Sequence, residues 1–82
     1  MNIPYYTTFT ITYLTPISNQ SGDDIFYEEY VLPNDGMIEE DVRQLTFELR
    51  EYGGALIETT EGILYLNNHN ISSIMFKHEE ED

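Results

Sequence analysis

The sequence predicts an α+β fold: a small antiparallel sheet of about four or five strands, in chain order ββαβββ, with one amphipathic helix packed on it. Three observations carry that expectation. Residues 5–14 alternate with period two, residues 38–52 hold an apolar stripe with helical spacing, and short apolar runs separated by turn residues follow residue 53.

Tyr5, Phe9, Ile11 and Tyr13 take the odd positions of the first segment, and Thr8, Thr10 and Thr12 the even ones. Alternation in β-branched and aromatic residues is the pattern of a strand with one buried face. Residues 15–24 are rich in turn formers and read as a hairpin loop longer than the two-residue type. Residues 25–32 form a second strand whose two faces are both partly apolar. Ile25, Tyr27 and Val31 share one with Glu29, and Phe26, Tyr30 and Leu32 share the other with Glu28. Either a bulge shifts its register or the strand is covered on both sides.

Pro33 ends that strand, and Pro33–Gly36 is a turn that opens the helix, with Asn34 or Asp35 as the expected N-cap. Glu39, Glu40 and Asp41 suit the positive end of a helix dipole, and Arg50 suits the negative end. Ile38, Val42, Leu45, Leu49 and Tyr52 fall within about 40° of Ile38 on a helical wheel, so they form the expected core stripe. Gly53 and Gly54 stop the helix. Residues 55–59 and 63–66 then read as a hairpin with Gly62 at its turn. Residues 67–70 are a second turn, and 71–76 a last short strand. Residues 1–76 are expected to be a single domain and 77–82 an acidic, disordered tail.

At 82 residues there is room for one domain. The absence of cysteine excludes disulfides, thiolate metal sites and a cysteine nucleophile. No run of residues has the length and apolarity of a membrane span, and residues 1–6 lack signal-peptide character. A complete, cytoplasmic chain is therefore the expectation. Sixteen acidic residues oppose three basic ones, a net charge of −13. That excess disfavours direct contact with nucleic acid or with an anionic membrane. It also exceeds the magnitude of ~2–8 usual for a small domain, and self-repulsion on that scale costs stability. Steering toward a basic partner offsets such a cost, and solubility alone is the plainer explanation.

Paired carboxylates serve glycoside hydrolysis when a cleft fixes their separation, but a domain this small has few walls with which to build one. Residues 19–24 offer oxygen ligands and a glycine, yet strands flank them where a calcium-binding EF-hand needs helices. His69 and His78 lack metal-pair spacing and read as surface residues. No nucleophile-elbow serine and no phosphate- or dinucleotide-binding glycine pattern is present. No enzymatic activity, cofactor or metal is expected.

Phe47 lies about 180° from the apolar stripe, among Glu40, Arg43, Arg50 and Glu51. An aromatic ringed by charge has the composition of a contact anchor; shielding by the arginine stems is the plainer alternative. Of the seven tyrosines, Tyr6 falls on the threonine face and is the one expected to be exposed. The candidate partner-binding residues are therefore Phe47, Glu40, Glu51, Asp23, Asp24, Glu28, Glu29 and Tyr6.

In size, acidity and lack of cysteine the chain resembles phage-encoded inhibitors of host proteins, including DNA-mimicking anti-restriction and anti-CRISPR proteins. The resemblance is one of composition, carried by no motif, so it transfers no residue roles. It implies a non-enzymatic inhibitor that occupies a basic, nucleic-acid-binding surface of a host protein. The alternative is a small structural or regulatory adaptor acting through a homodimer or an apolar interface.

Overall fold

The alternating N-terminal segment becomes the central strand of a sheet, with both backbone edges paired. The computed structural model describes residues 5–78, and within them β1 (Tyr6–Ser18) lies between β2 (Asp24–Val31) and β5 (Ile71–His78), antiparallel to each. The helix α1 (Glu39–Tyr52) follows β2. A separate antiparallel hairpin, β3 (Gly54–Thr59) and β4 (Gly62–Asn67), comes next, and a 3-10 turn over Asn68–Asn70 leads into β5. The α+β class and the ββαβββ order match the sequence reading, with the five strands divided three and two.

The odd residues of β1 face inward, as the alternation requires. Phe9 is fully buried and pairs with Tyr30 on one side and Phe76 on the other. Their rings pack on that of Phe9 at centroid distances of 5.3 and 5.4 Å. Ile11, one pleat along, pairs with Glu28 and Ile74. The threonine face looks outward, where Thr10 lies between Glu29 and Met75 and Thr12 between Tyr27 and Ser73.

The mixed pattern of residues 25–32 is explained by a bulge. β1 uses the stretch from Thr12 to Ile17 to cover what β2 covers from Tyr27 to Ile25, so the register slips there. Tyr30 and Glu28 face the core, while Tyr27, Glu29 and Val31 are exposed on the other side. The strand β1 also continues to Ser18 rather than stopping near residue 14, and the turn itself is short. The side-chain oxygen of Asn19 accepts from the amides of Ser21 and Asp23, closing that turn. Where β1 leaves regular pairing, Asn70 substitutes for a strand neighbour. Its side chain accepts from the Thr15 amide at 3.0 Å and donates to the Thr15 carbonyl at 2.9 Å.

Three further expectations are corrected. Neither Asn34 nor Asp35 caps α1; the cap position is Ile38, whose amide donates to the Asp41 carboxylate. The turn before it is used otherwise, because Met37 forms a two-way bridge with Tyr6 (amide to carbonyl 2.7 and 2.9 Å) that ties the helix approach to β1. Tyr52 is 77% exposed rather than part of the core. The helix ends at that residue, with Gly53 left-handed at φ 77°, and the Tyr52 ring meets that of Phe47 and not the core. Lys77 and His78, assigned to the tail, belong to β5; residues 79–82 lie outside the described residues.

The hairpin also follows period two. Ala55, Ile57 and Leu66 are buried, with Leu64 packed against them, whereas Leu56, Ile63 and Tyr65 are exposed. Thr59 closes the turn by donating to the Gly62 carbonyl and accepting from the Glu61 amide. One core joins all layers: Phe9 and Ile11 of the larger sheet, Leu32, Leu45 of the helix, and Ala55, Ile57 and Leu66 of the hairpin. Asn68 fastens the helix end to this hairpin, its side-chain amide donating to the Leu49 carbonyl at 3.0 Å.

Glu28, carried on the core-facing side, accepts from the Tyr13 hydroxyl. Burial, then that hydrogen bond and the Glu28 charge, hold Tyr13 well above the ordinary tyrosine range. Burial, followed by Glu28, shifts Tyr30 the same way. A pKa raised on folding confers stability that is complete below the unfolded value of about 10 and is lost as pH rises toward the folded value. Urea midpoints should therefore fall above about pH 10, and Tyr13→Phe should flatten part of that fall. An alkaline profile unaltered by the substitution would contradict the assignment.

Candidate functional site

The helix carries the densest display of carboxylates, and its wheel explains where they point. Ile38, Val42, Leu45 and Leu49 turn toward the sheets, with Leu45 buried and the other three half-buried. The neighbouring flank bears Asp41, Gln44 and Glu48, spaced three and four apart, and then Glu40, Glu51 and Phe47. Asp41, Gln44, Leu45 and Glu48 line one wall of an open groove, and Leu56, Ile57 and Glu58 of β3 line the other. The turn at Pro33, Asn34 and Gly36, together with Leu32 and Met37, completes it, giving a volume of about 360 Å³. The groove lining mixes apolar residues with three acidic ones, Asp41 and Glu48 on the helix and Glu58 on β3.

The carboxylates of the described residues are almost unneutralised. All except Glu28 and Glu48 are exposed. Among the described residues there is one ion pair, Arg43 with Glu39 at 3.0 Å, and both side chains of that pair are largely in water. It lies on the helix flank away from the groove. Glu48 accepts from Gln44 at a long 3.3 Å, and Asp41 accepts from the Ile38 amide at 3.4 Å. Neither contact supplies positive charge, so the negative charge of this helix flank is left unneutralised by them.

Phe47 is half exposed, as its place opposite the stripe implies. Its ring meets that of Tyr52 edge-on, centroids 6.4 Å apart at 89°, so two aromatics stand together on the outer side of the helix. Phe47→Ala should change stability by only about 0.5–1 kcal/mol, the worth of one exposed aromatic contact. Leu45→Ala should cost about 2–5 kcal/mol, as a buried leucine does. Chemical denaturation of both variants checks this; an equal loss would place Phe47 in the core.

Of the residues singled out in the sequence, the fold brings Phe47, Glu40 and Glu51 onto one helix flank. Asp23 and Asp24 sit at the β1–β2 turn, away from the helix in the topology. Glu29 is on the outer face of the sheet beside Thr10, and Glu28 faces the core with its carboxylate engaged by Tyr13. Tyr6 is half-buried, contrary to the expectation from its even position. The register against β5 slips between Tyr6 and Thr8, which reverses the local alternation. Tyr6 instead stacks on His78 at 4.2 Å and packs against the core. The groove residues Asp41, Glu48 and Glu58 were not singled out. The spacing of Asp41, Gln44 and Glu48 marks a polar helix flank, but nothing local in the sequence places β3 opposite it.

Among the described residues no helix is long and apolar enough to cross a membrane. No family model matches the chain, and neither a curated protein nor a solved structure matches it.

Proposed function

We propose that this protein is a non-enzymatic inhibitor that occupies a basic, nucleic-acid-binding surface of another protein, of the DNA-mimicking kind its composition resembles. The observation that carries this reading is the exposed, unpaired state of nearly all the described carboxylates, with Arg43–Glu39 the one ion pair among them. Carboxylates that stabilise a fold are usually paired or hydrogen-bonded; among the described residues, only Glu39 has a cationic partner. A basic groove that ordinarily binds phosphates offers the complementary potential. Phe47 and Tyr52, beside the acidic flank, supply apolar contact area within that charged surround.

The expected result in a competition assay is displacement of DNA or RNA from a basic protein by this chain, without binding of the nucleic acid by the chain itself. The basic protein is first recovered by pull-down and mass spectrometry. Saturable DNA binding by the isolated chain at physiological salt would remove the proposal.

A second reading draws on the outer face of the hairpin, where Leu56, Ile63 and Tyr65 are each more than half exposed. An adaptor or homodimer would use that face, and its association would respond weakly to salt because apolar burial is not screened.

A further inference from the structure

We infer that the open edge of β4 pairs with β4 of a second copy of this chain, joining the two hairpins into one four-stranded antiparallel sheet. This assembly is a specific form of the homodimer given above as a second reading, and it is independent of charge-driven docking on the helix flank. The ladder of the hairpin shows which groups face the edge. Thr59 meets Gly62 across a two-residue turn, and at the far end the Asn68 amide donates to the Gly53 carbonyl at 3.2 Å. Antiparallel residues alternate between pairs that exchange hydrogen bonds and pairs that do not. Ala55–Leu66, Ile57–Leu64 and Thr59–Gly62 are therefore bonded pairs, and Leu56–Tyr65 and Glu58–Ile63 are not. The main-chain amides and carbonyls of Ile63 and Tyr65 thus point away from β3. Among the described residues no main-chain group outside the hairpin bonds to them. An edge left open in this way is a template for another strand.

Charge decides what that strand is. β2, an edge of the larger sheet, carries Asp24, Glu28 and Glu29, and β3 carries Glu58. β4 carries no charged residue. On a chain of net charge −13 this is where a second copy approaches with least repulsion, and where a basic partner would gain no ion pair. β5 also lacks carboxylates, but it exposes a single large apolar residue, Met75, and the sequence runs on from it into four acidic residues. β4 exposes two, Ile63 and Tyr65. It is also self-complementary. With Leu64 on a two-fold axis, Ile63 of each copy falls directly opposite Tyr65 of the other, on one face and in the bonded phase. An aromatic beside a β-branched residue is a favourable cross-strand pair, and the axis supplies it twice. In the same register Glu61 falls opposite Asn67, so no like charges meet, and Leu64 and Leu66 keep facing their own core.

The test is sedimentation equilibrium of the full chain, read beside amide hydrogen exchange by NMR. The expected result is a monomer–dimer equilibrium with a dissociation constant below about 1 mM. It should be no weaker at about 200 mM salt than at about 50 mM, because screening lowers the repulsion between like-charged copies. The Ile63 and Tyr65 amides should gain protection as the chain is concentrated, while those of Leu56 and Glu58 on β3 should not. Tyr65→Glu should weaken the dimer roughly ten-fold or more. The double variant Ile63→Lys, Tyr65→Glu places opposite charges in both cross-strand pairs and should restore it. Both positions are exposed, so the denaturation midpoint of the dilute chain should move little in either variant. A dimer that leaves the Ile63 and Tyr65 amides unprotected, or that the double variant fails to restore, would place the copies face to face and overturn edge pairing. A chain that stays monomeric up to about 1 mM would overturn the homodimer as well. Displacement of nucleic acid from a basic protein by such a monomeric chain would leave charge-driven docking standing alone.

Discussion

Phe9→Ala is expected to cost about 3–5 kcal/mol, a large share of the ~5–15 kcal/mol that holds a typical domain together. Phe9 has no solvent exposure and sits on the central strand, with an aromatic neighbour in register on each side. Removing the ring opens a cavity that Tyr30 and Phe76 cannot fill without leaving their own strands. The same core joins the larger sheet to the helix and hairpin, so the loss is felt by every layer. Urea denaturation should show a large drop in midpoint. A midpoint near that of the parent protein would mean that the two sheets do not share one core.

Gly36→Ala is the second substitution expected to have a large effect, and Gly22→Ala is its control. Both glycines have positive φ, 92° and 84°, so both substitutions incur the left-handed strain of about 1–2 kcal/mol. They differ in surroundings. A Cβ on Gly22 meets open space, whereas one on Gly36 runs into the backbone carbonyl of Tyr6. That carbonyl accepts from the Met37 amide, so moving it breaks the bridge that anchors the helix approach. Gly36→Ala should therefore cost about 3 kcal/mol or more, against about 1 for Gly22→Ala. Equal losses in thermal denaturation would show that the turn has room to shift.

The periodic parts of the fold were legible in the sequence because burial acts locally on them. The alternation of Phe9, Ile11 and Tyr13 against Thr8, Thr10 and Thr12 identified a one-face strand, and the spacing of Val42, Leu45 and Leu49 identified the helix. Gly53 and Gly62 marked real stops and turns, both with positive φ. What failed depended on partners distant in the chain. Tyr6 changed face because β5 pairs with a slipped register, and Tyr52, the last helical residue, lies 77% exposed with its ring against Phe47 and not in the core. The cap moved to Ile38 because Met37 is held by Tyr6, a constraint invisible to local capping preference.

The candidate surface was half legible for the same reason. Phe47 with Glu40 and Glu51 follows from the helical wheel alone, since neighbours three and four apart are fixed by helix geometry. The groove needs β3 to lie beside α1, and Glu58 enters it from a strand that follows the helix C-terminus. Glu28 shows the opposite case. Read as one more acidic surface residue, it faces the core and serves as the acceptor for Tyr13.

The most direct test of charge-driven docking is the salt dependence of affinity for the basic protein whose nucleic acid this chain displaces. Binding should weaken roughly ten-fold or more between about 50 and 200 mM salt, the response of an interface dominated by many exposed charges. The loss should be smaller for a Glu48→Gln, Glu58→Gln variant, which carries less charge into the interface. Affinity that stays constant across that range would contradict charge mimicry and place the interaction on the apolar face of Leu56, Ile63 and Tyr65.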